Sequence, residues 1–191
     1  MRRGSRLALL LSGLMGSVLS GCGGEAPAPV PPEDIAQGQQ LPTVMSCPVG
    51  STMNRFSPPL SVVPRDTTVT GTSTFSNCVS LSGEVTSGEL SVHVELPGFA
   101  CQDLLEVGSA RADITWNTGE SSTLLQTRGS VQVSNATVAI TYVGTVESGK
   151  FQGATAIRTL TYFDVNLFDC FSSRGVPGMS GVTTLTLLGL P

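Results

Sequence analysis

The chain has 191 residues, of which 40% are hydrophobic and 13% charged, and its formal net charge is −4. With one lysine (Lys150) and no basic patch beyond the N-terminal arginines, it lacks the cationic surface that nucleic acids or anionic lipids select. The composition argues against nucleic acid as a partner and against electrostatic docking on anionic lipid.

The N-terminal segment has the organisation of an export signal. Arg2, Arg3 and Arg6 precede an apolar run over residues 7–19, which ends in Ser20-Gly21-Cys22. The run of about 13 residues is shorter than the roughly 20 that span a bilayer. A cysteine directly after small residues resembles the lipobox of bacterial lipoprotein precursors. The resemblance implies that residues 1–21 are a signal peptide and that Cys22 carries a thioether-linked diacylglycerol.

The predicted lipid anchor sets the expected location of the protein. The residue after Cys22 is Gly23 rather than aspartate. The resemblance therefore implies the outer membrane in a diderm host, or the outer face of the plasma membrane in a monoderm host; the sequence leaves both open. We expect residues 22–42 to be a lipidated N-terminus with a disordered Pro/Gly-rich tether. Residues 43–191 would form an all-β domain, entered through an irregular or edge-strand segment over residues 43–65.

Five cysteines are present, and four remain once Cys22 is assigned to lipid. An even number in an exported chain predicts two disulfide bonds among Cys47, Cys78, Cys101 and Cys170. Three pairings are possible, and we favour Cys78–Cys101, which are close in sequence, with Cys47–Cys170 joining the domain ends. The wide spacing, the absence of C-x-x-C and the single histidine disfavour a metal site or a redox pair, so we expect no metal and no cofactor.

From residue 66 onward, apolar residues recur with a period of two, as on half-buried antiparallel strands. Ala110, Ala112, Ile114 and Trp116 share one face, and Val138, Ile140 and Tyr142 repeat the pattern. On the same basis we group Ile157, Thr159, Thr161 and Phe163. The pattern predicts about eight strands in a closed or nearly closed antiparallel barrel, with a sandwich as the alternative. Strands are expected near 66–76, 79–86, 89–96, 108–116, 120–128, 130–147 (long, or two strands), 153–165 and 181–189, with a short helical turn within 99–107.

Several phrases together resemble a group of small exported Thr/Gly-rich all-β proteins of actinobacteria and other high-GC bacteria. They are Phe56-Ser57-Pro58-Pro59-Leu60, Thr70-Gly71-Thr72-Ser73-Thr74-Phe75-Ser76-Asn77-Cys78, Ile114-Thr115-Trp116-Asn117, and the hairpin Gly144-Thr145-Val146-Glu147-Ser148-Gly149-Lys150-Phe151-Gln152-Gly153-Ala154. The resemblance covers roughly residues 46–190 and implies a fold and an exported location, but no activity. The hairpin is also similar to those of dirigent and allene-oxide-cyclase barrels.

Few residues suggest catalysis. His93, the only histidine, could be a general base, but it is expected on the solvent face of a strand. No G-x-S-x-G elbow surrounds a serine. Acidic pairs occur at Glu84/Glu89, Asp103/Glu106 and Asp164/Asp169, without a pattern that fixes their separation. An enzyme using His93 or a carboxylate pair is therefore the third of our hypotheses.

The leading hypothesis is a lipid-anchored cell-envelope protein with a non-enzymatic binding or structural role. The alternative is a β-barrel carrier of a small hydrophobic ligand. Besides the membrane reached through Cys22, the expected partners are an envelope protein, a glycan or such a ligand. The candidate recognition surface comprises Trp116, Tyr162, Phe163, Phe168 and Phe171, in and near the most aromatic part of the chain.

Overall fold

The computed structural model describes residues 41–106, 108–134, 137–163 and 165–189. The predicted signal peptide, the lipidation site Cys22 and nearly all of the predicted tether lie outside the described residues. Within the described part of the chain, no helix is long and apolar enough to cross a membrane.

Ten strands and two short 3₁₀ helices make up the described structure. The strands are β1 (Thr43–Cys47), β2 (Val49–Leu60), β3 (Arg65–Ser76), β4 (Val79–Ser80), β5 (Gly88–Phe99), β6 (Ser109–Trp116), β7 (Ser121–Ser134), β8 (Thr137–Gly149), β9 (Thr155–Phe163) and β10 (Val176–Leu188). The first 3₁₀ helix (Cys101–Leu105) follows β5, within the predicted helical turn, and the second (Leu167–Phe171) follows β9.

Eight of these strands form a closed barrel in which neighbouring strands pair antiparallel. Their order is β2-β3-β5-β6-β7-β8-β9-β10, and β10 pairs back onto β2. Neighbours along the chain are therefore neighbours in the wall, apart from the short β4, as in an up-and-down barrel. The predicted all-β class and the closed antiparallel barrel of about eight strands are confirmed.

Three predicted segments differ in the structure. The strand expected near 79–86 is reduced to the two-residue β4. Residues 43–65, expected as an irregular or edge-strand segment, contain β1 and the twelve-residue barrel strand β2. The break that was expected near residue 129 lies between β7 and β8, after Ser134. The shift arises because β7 and β8 form a long hairpin whose outer part extends past the end of β6.

The favoured disulfide pairing is wrong. The bonds are Cys47–Cys78 and Cys101–Cys170. β1 pairs with β4 through Met45↔Ser80 and Ser46↔Val79, and this register continues to place Cys47 opposite Cys78. Cys101 and Cys170 each lie in one of the two 3₁₀ helices. Spatial pairing of strands and helices, rather than distance along the chain, decides the connectivity.

The interior holds two apolar clusters. The first lies at the end of the barrel where β6 meets β7, and includes Phe75, Ile114, Trp116, Leu124 and Leu185. The second lies at the opposite end and includes Phe56, Cys101, Leu160, Tyr162 and Cys170. We call this opposite end, which carries both 3₁₀ helices and the Cys101–Cys170 bond, the stapled end.

Candidate functional site

The stapled end is held together by connections between three loops. Cys101 and Cys170 have their Cα atoms 6.1 Å apart. The backbone N–H of Val62 donates to the carbonyl of Cys170 (3.1 Å), and that of Cys101 donates to the carbonyl of Ser61 (3.0 Å). The β2–β3 loop is thus bonded to both 3₁₀ helices, and the three segments form one surface.

Local capping explains the second 3₁₀ helix. The Asn166 side chain accepts a hydrogen bond from the backbone N–H of Phe168 (3.2 Å) and donates to the Asp169 carboxylate (3.2 Å). At the other end, the Ser172 hydroxyl donates to the Asp169 carbonyl (2.8 Å). These side-chain bonds satisfy helix-end groups that the short helix leaves free.

The first 3₁₀ helix is capped by a carboxylate and an arginine. Asp103 accepts from the backbone N–H of Ala100 (2.7 Å). Arg128, from β7, donates to the carbonyls of Asp103 (3.1 Å), Leu104 (2.7 Å) and Glu106 (2.5 Å). A cation at the carbonyl end of a helical turn is favourable, so Arg128 holds this helix to the barrel wall.

Three of the five predicted recognition residues are exposed around this end. Phe168 and Phe171 on the second 3₁₀ helix are 83% and 76% exposed, and Phe163 at the end of β9 is 47% exposed. Cys170 lies between the two helical phenylalanines in sequence and is buried. The disulfide therefore anchors the helix inward while both rings point outward. Leu105, Val62 and Val63 are exposed on loops of the same end.

For the other two residues the predicted place on a recognition surface is wrong, because both belong to the core. Trp116 is 2% exposed and Tyr162 is 1% exposed. The Trp116 indole N–H donates to the Ser122 hydroxyl (2.8 Å), and its ring meets Phe151 edge to face at 5.7 Å. A Cβ on Gly88 would lie 2.7 Å from the Trp116 ring, so this glycine makes room for the indole.

The residues considered for catalysis do not converge. His93 is exposed on β5, opposite Thr70 of β3. No aspartate or glutamate is buried among the described residues. In the same residues, no group of three or more histidine, cysteine, aspartate or glutamate side chains could hold a metal ion. Lys150 hydrogen-bonds Glu120 (2.6 Å), which raises the pKa of the lysine and lowers that of the glutamate.

Sequence reasoning missed a band of buried polar residues in the middle of the barrel, which we call the polar belt. Its members are Thr52, Ser73, Gln126, Arg158 and Thr183, contributed by five different strands. On β9 the inward face carries Ala156, Arg158, Leu160 and Tyr162. The grouping of Ile157, Thr159, Thr161 and Phe163 selected the other face. The sequence did contain a signal for the inward face: Arg158 alternates with Ala156, Leu160 and Tyr162, which are all suited to a core.

Arg158 is the only charged member of the belt, and it is 5% exposed. Its guanidinium carbon lies 5.3 Å from the centroid of the Tyr142 ring, and that of Arg128 lies 5.8 Å from the same ring. Burial lowers the pKa of Arg158, whereas the neighbouring Tyr142 and Tyr162 raise it. None of the ion pairs found among the described residues involves Arg158.

Part of the polar interior is satisfied and part is not. Ser73 donates to Thr52 (2.9 Å), and Asn54 donates to the Tyr162 hydroxyl (2.7 Å). Burial raises the pKa of Tyr162 to about 12. By contrast, both amide atoms of Gln126, Nε of Arg158 and Oγ1 of Thr183 are buried without a hydrogen-bond partner.

The barrel also carries a groove of about 600 Å³ on the side formed by β2 and β10. Met53, Phe163, Val165, Met179 and Val182 contribute apolar atoms to its lining. This groove is open to solvent, so it differs from the enclosed apolar cavity that a hydrophobic carrier would show.

Fold and site together define an eight-stranded up-and-down barrel with an aromatic, disulfide-stapled end and a polar belt inside. No protein-family model, no curated protein and no solved structure matches this chain. Its function is therefore inferred from its own residues, and the resemblance to exported Thr/Gly-rich proteins stays a prediction.

Proposed function

We propose that this protein is a lipid-anchored, non-enzymatic binding module of the cell envelope whose stapled end recognises a partner protein. The observation that supports the proposal most strongly is the exposure of Phe168 and Phe171 on a helix that a buried disulfide fixes in place. A large apolar side chain gains about 1.5–3 kcal/mol when it is fully buried. Two phenylalanines held in solvent leave that free energy available to an interface.

The rigidity of this surface also favours binding. A flexible loop loses conformational entropy when it binds, which reduces its net affinity. At the stapled end this loss is already reduced, because Asn166 and Ser172 cap the helix and Cys170 is bonded to Cys101. Exposed apolar residues that are rimmed by polar ones are typical of protein interaction sites.

The predicted lipid on Cys22 completes the proposal. A tether over residues 22–42 would leave the barrel free to orient its stapled end toward another envelope component. Of the expected partners, we propose an envelope protein with an apolar surface, because Phe168 and Phe171 hold two apolar rings in solvent. The membrane attachment itself is proposed from the sequence of the N-terminal segment.

Photo-crosslinking in the full chain tests the proposal. A benzophenone side chain is introduced at Phe168 or Phe171, and at Thr145, which is exposed on the barrel wall. Irradiation of envelopes from producing cells should give one defined adduct from positions 168 and 171 and none from 145. Adducts of the same pattern from all three positions, or none from any, would contradict a specific surface at this end.

A pair of variants separates recognition from folding. With the benzophenone side chain placed at position 163 instead, Phe168→Ser combined with Phe171→Ser should abolish the adduct without lowering the melting temperature. Leu81→Ser is the matched control, because Leu81 is 77% exposed and lies outside the stapled end. If Leu81→Ser reduces the adduct as much as the double variant does, the proposed surface is wrong.

The second candidate function, a barrel that holds a small ligand inside, is favoured by a different observation. Both ends of the interior are filled with apolar side chains, but the middle contains Arg158 and other unpaired polar groups. The interior is therefore suited to a polar ligand rather than to the hydrophobic one expected from the sequence.

A further inference from the structure

The charge of Arg158 is not neutralised by the described residues. The groups that act on it by charge are Tyr142 and Tyr162, and no described carboxylate is buried. Removing an unpaired ion from water costs several kcal/mol even after the protein relaxes around it. A buried water could satisfy the free N–H groups, but it would leave the positive charge uncompensated.

Thr183 and Gln126 lie within two strands of Arg158 and are buried in the interior of the barrel. Arg158 pairs with Tyr142 on β8 and with Leu185 on β10. Thr183 is therefore its diagonal neighbour on β10, on the same inward face. Gln126 pairs with Gly144, which separates it from β9. Gly144 in turn pairs with Ala156, which precedes Arg158 on the inward face of β9, so on β8 only Gly144 and the Tyr142 side chain lie between Gln126 and Arg158.

We infer that the polar belt is a binding site for one small carboxylate, held by the guanidinium of Arg158 with Gln126 and Thr183 as further hydrogen-bond donors. Guanidinium and carboxylate match in geometry, and a pair of charge-assisted hydrogen bonds is stronger than neutral ones. The carboxylate would accept from Nε of Arg158, from Nε2 of Gln126 and from Oγ1 of Thr183. These are three of the unpaired atoms. This inference is independent of the recognition surface at the stapled end.

The hydrogen-bonded wall of the barrel has a gap between β5 and β6, and this gap is the route that the inference requires for a small ion to reach the belt. The β5–β6 ladder stops at the pair Ser91↔Asp113, although β5 continues to Phe99. The first 3₁₀ helix lies in the connection between these strands, and Arg128 holds its carbonyls.

Thermal unfolding of the full, disulfide-intact chain tests the site, with sodium formate or acetate exchanged for sodium chloride at constant ionic strength. A ligand that binds only the folded state raises its melting temperature with saturation. At a hundred-fold excess over the dissociation constant, the rise should be about 5–10 °C. A melting temperature that is the same in all three salts would overturn the inference.

Variants identify the residues on which the formate effect on the melting temperature depends. Arg158→Met should abolish the difference between formate and chloride, whereas Arg174→Met, at an exposed arginine, should preserve it. Gln126→Met should reduce the formate effect. Equal formate effects in Arg158→Met and in the unaltered chain would place the response elsewhere and overturn the assignment.

Direct detection of bound formate tests the site even if Arg158→Met does not fold. ¹³C-formate is titrated with the unaltered chain and observed by NMR, with unlabelled acetate as competitor. A bound signal that acetate displaces at a ratio of one ligand per chain supports the site. A formate signal that stays narrow and unshifted at every protein concentration overturns it.

Discussion

Replacing Cys101 and Cys170 together by alanine removes the covalent link between the two 3₁₀ helices. The bond spans a sequence separation of 69 residues, and in the chain-entropy model such a loop contributes about 4 kcal/mol to the free energy of unfolding. The Cys47–Cys78 bond, with a separation of 31, contributes roughly 3.5 kcal/mol. The two loops do not overlap in sequence, so we expect their contributions to add.

The two double-cysteine variants should differ in which amides become less protected from exchange with solvent. Each should lower the melting temperature by about 10 °C, given 2–4 °C per kcal/mol for a chain of this size. In C101A/C170A, the amides of residues 167–171 should also exchange with solvent faster than those of the barrel strands. C47A/C78A is the matched control, because it leaves the stapled end bonded. Unchanged melting of C101A/C170A would refute the role assigned to the bond.

Peptide mapping checks the connectivity itself. Trypsin leaves Cys78 and Cys101 on one peptide, residues 66–111. The Cys47–Cys78 and Cys101–Cys170 bonds therefore predict three tryptic peptides joined through disulfides. Further cleavage after the glutamates between Cys78 and Cys101 should separate this species into two linked pairs. An internal bond within residues 66–111 would show the pairing favoured from the sequence instead.

Three further outcomes test the interior contacts. Ser122→Ala leaves the Trp116 indole N–H buried without an acceptor and should cost about 1–3 kcal/mol in urea unfolding. Arg128→Met should speed amide exchange in residues 101–106, because three carbonyls lose their donor. The pKa of Tyr162 is about 12 in the folded chain against an ordinary 10.0, so the unfolded chain loses the phenol proton first. Stability should fall by about 2–3 kcal/mol as pH rises from 10 to 12, and Tyr162→Phe should remove this loss.

Periodicity in the sequence predicted the barrel well where strands alternate clearly. The face with Ala112, Ile114 and Trp116 is buried as expected. Periodicity selected the wrong inward face of β9. The outward face, with isoleucine and threonine, looked more apolar than the inward face that contains Arg158. Period-two patterns locate a strand but choose its inner face only by hydrophobicity, and a buried charge reverses that choice.

The surface proposed for recognition was predicted only in part, for a similar reason. The aromatic run around Phe168 and Phe171 was recognised from composition, and both side chains are exposed. Composition alone could not separate them from Tyr162, which the alternation of β9 turns inward. Nor could it show that Cys170 pairs with Cys101, since this contact depends on two connections meeting at the same end of the closed barrel.

The polar belt and the disulfides have opposite effects on the free energy of unfolding. A belt of threonine, serine, glutamine and arginine buries less apolar area than an aliphatic core would, and its unpaired atoms reduce stability further. Replacing a buried charge by a hydrophobic residue of similar volume is often neutral or stabilising. If folding alone were at stake, methionine at position 158 would therefore be the better residue. Two disulfides offset the cost of keeping arginine there, and the proposed carboxylate site gives a reason for keeping it.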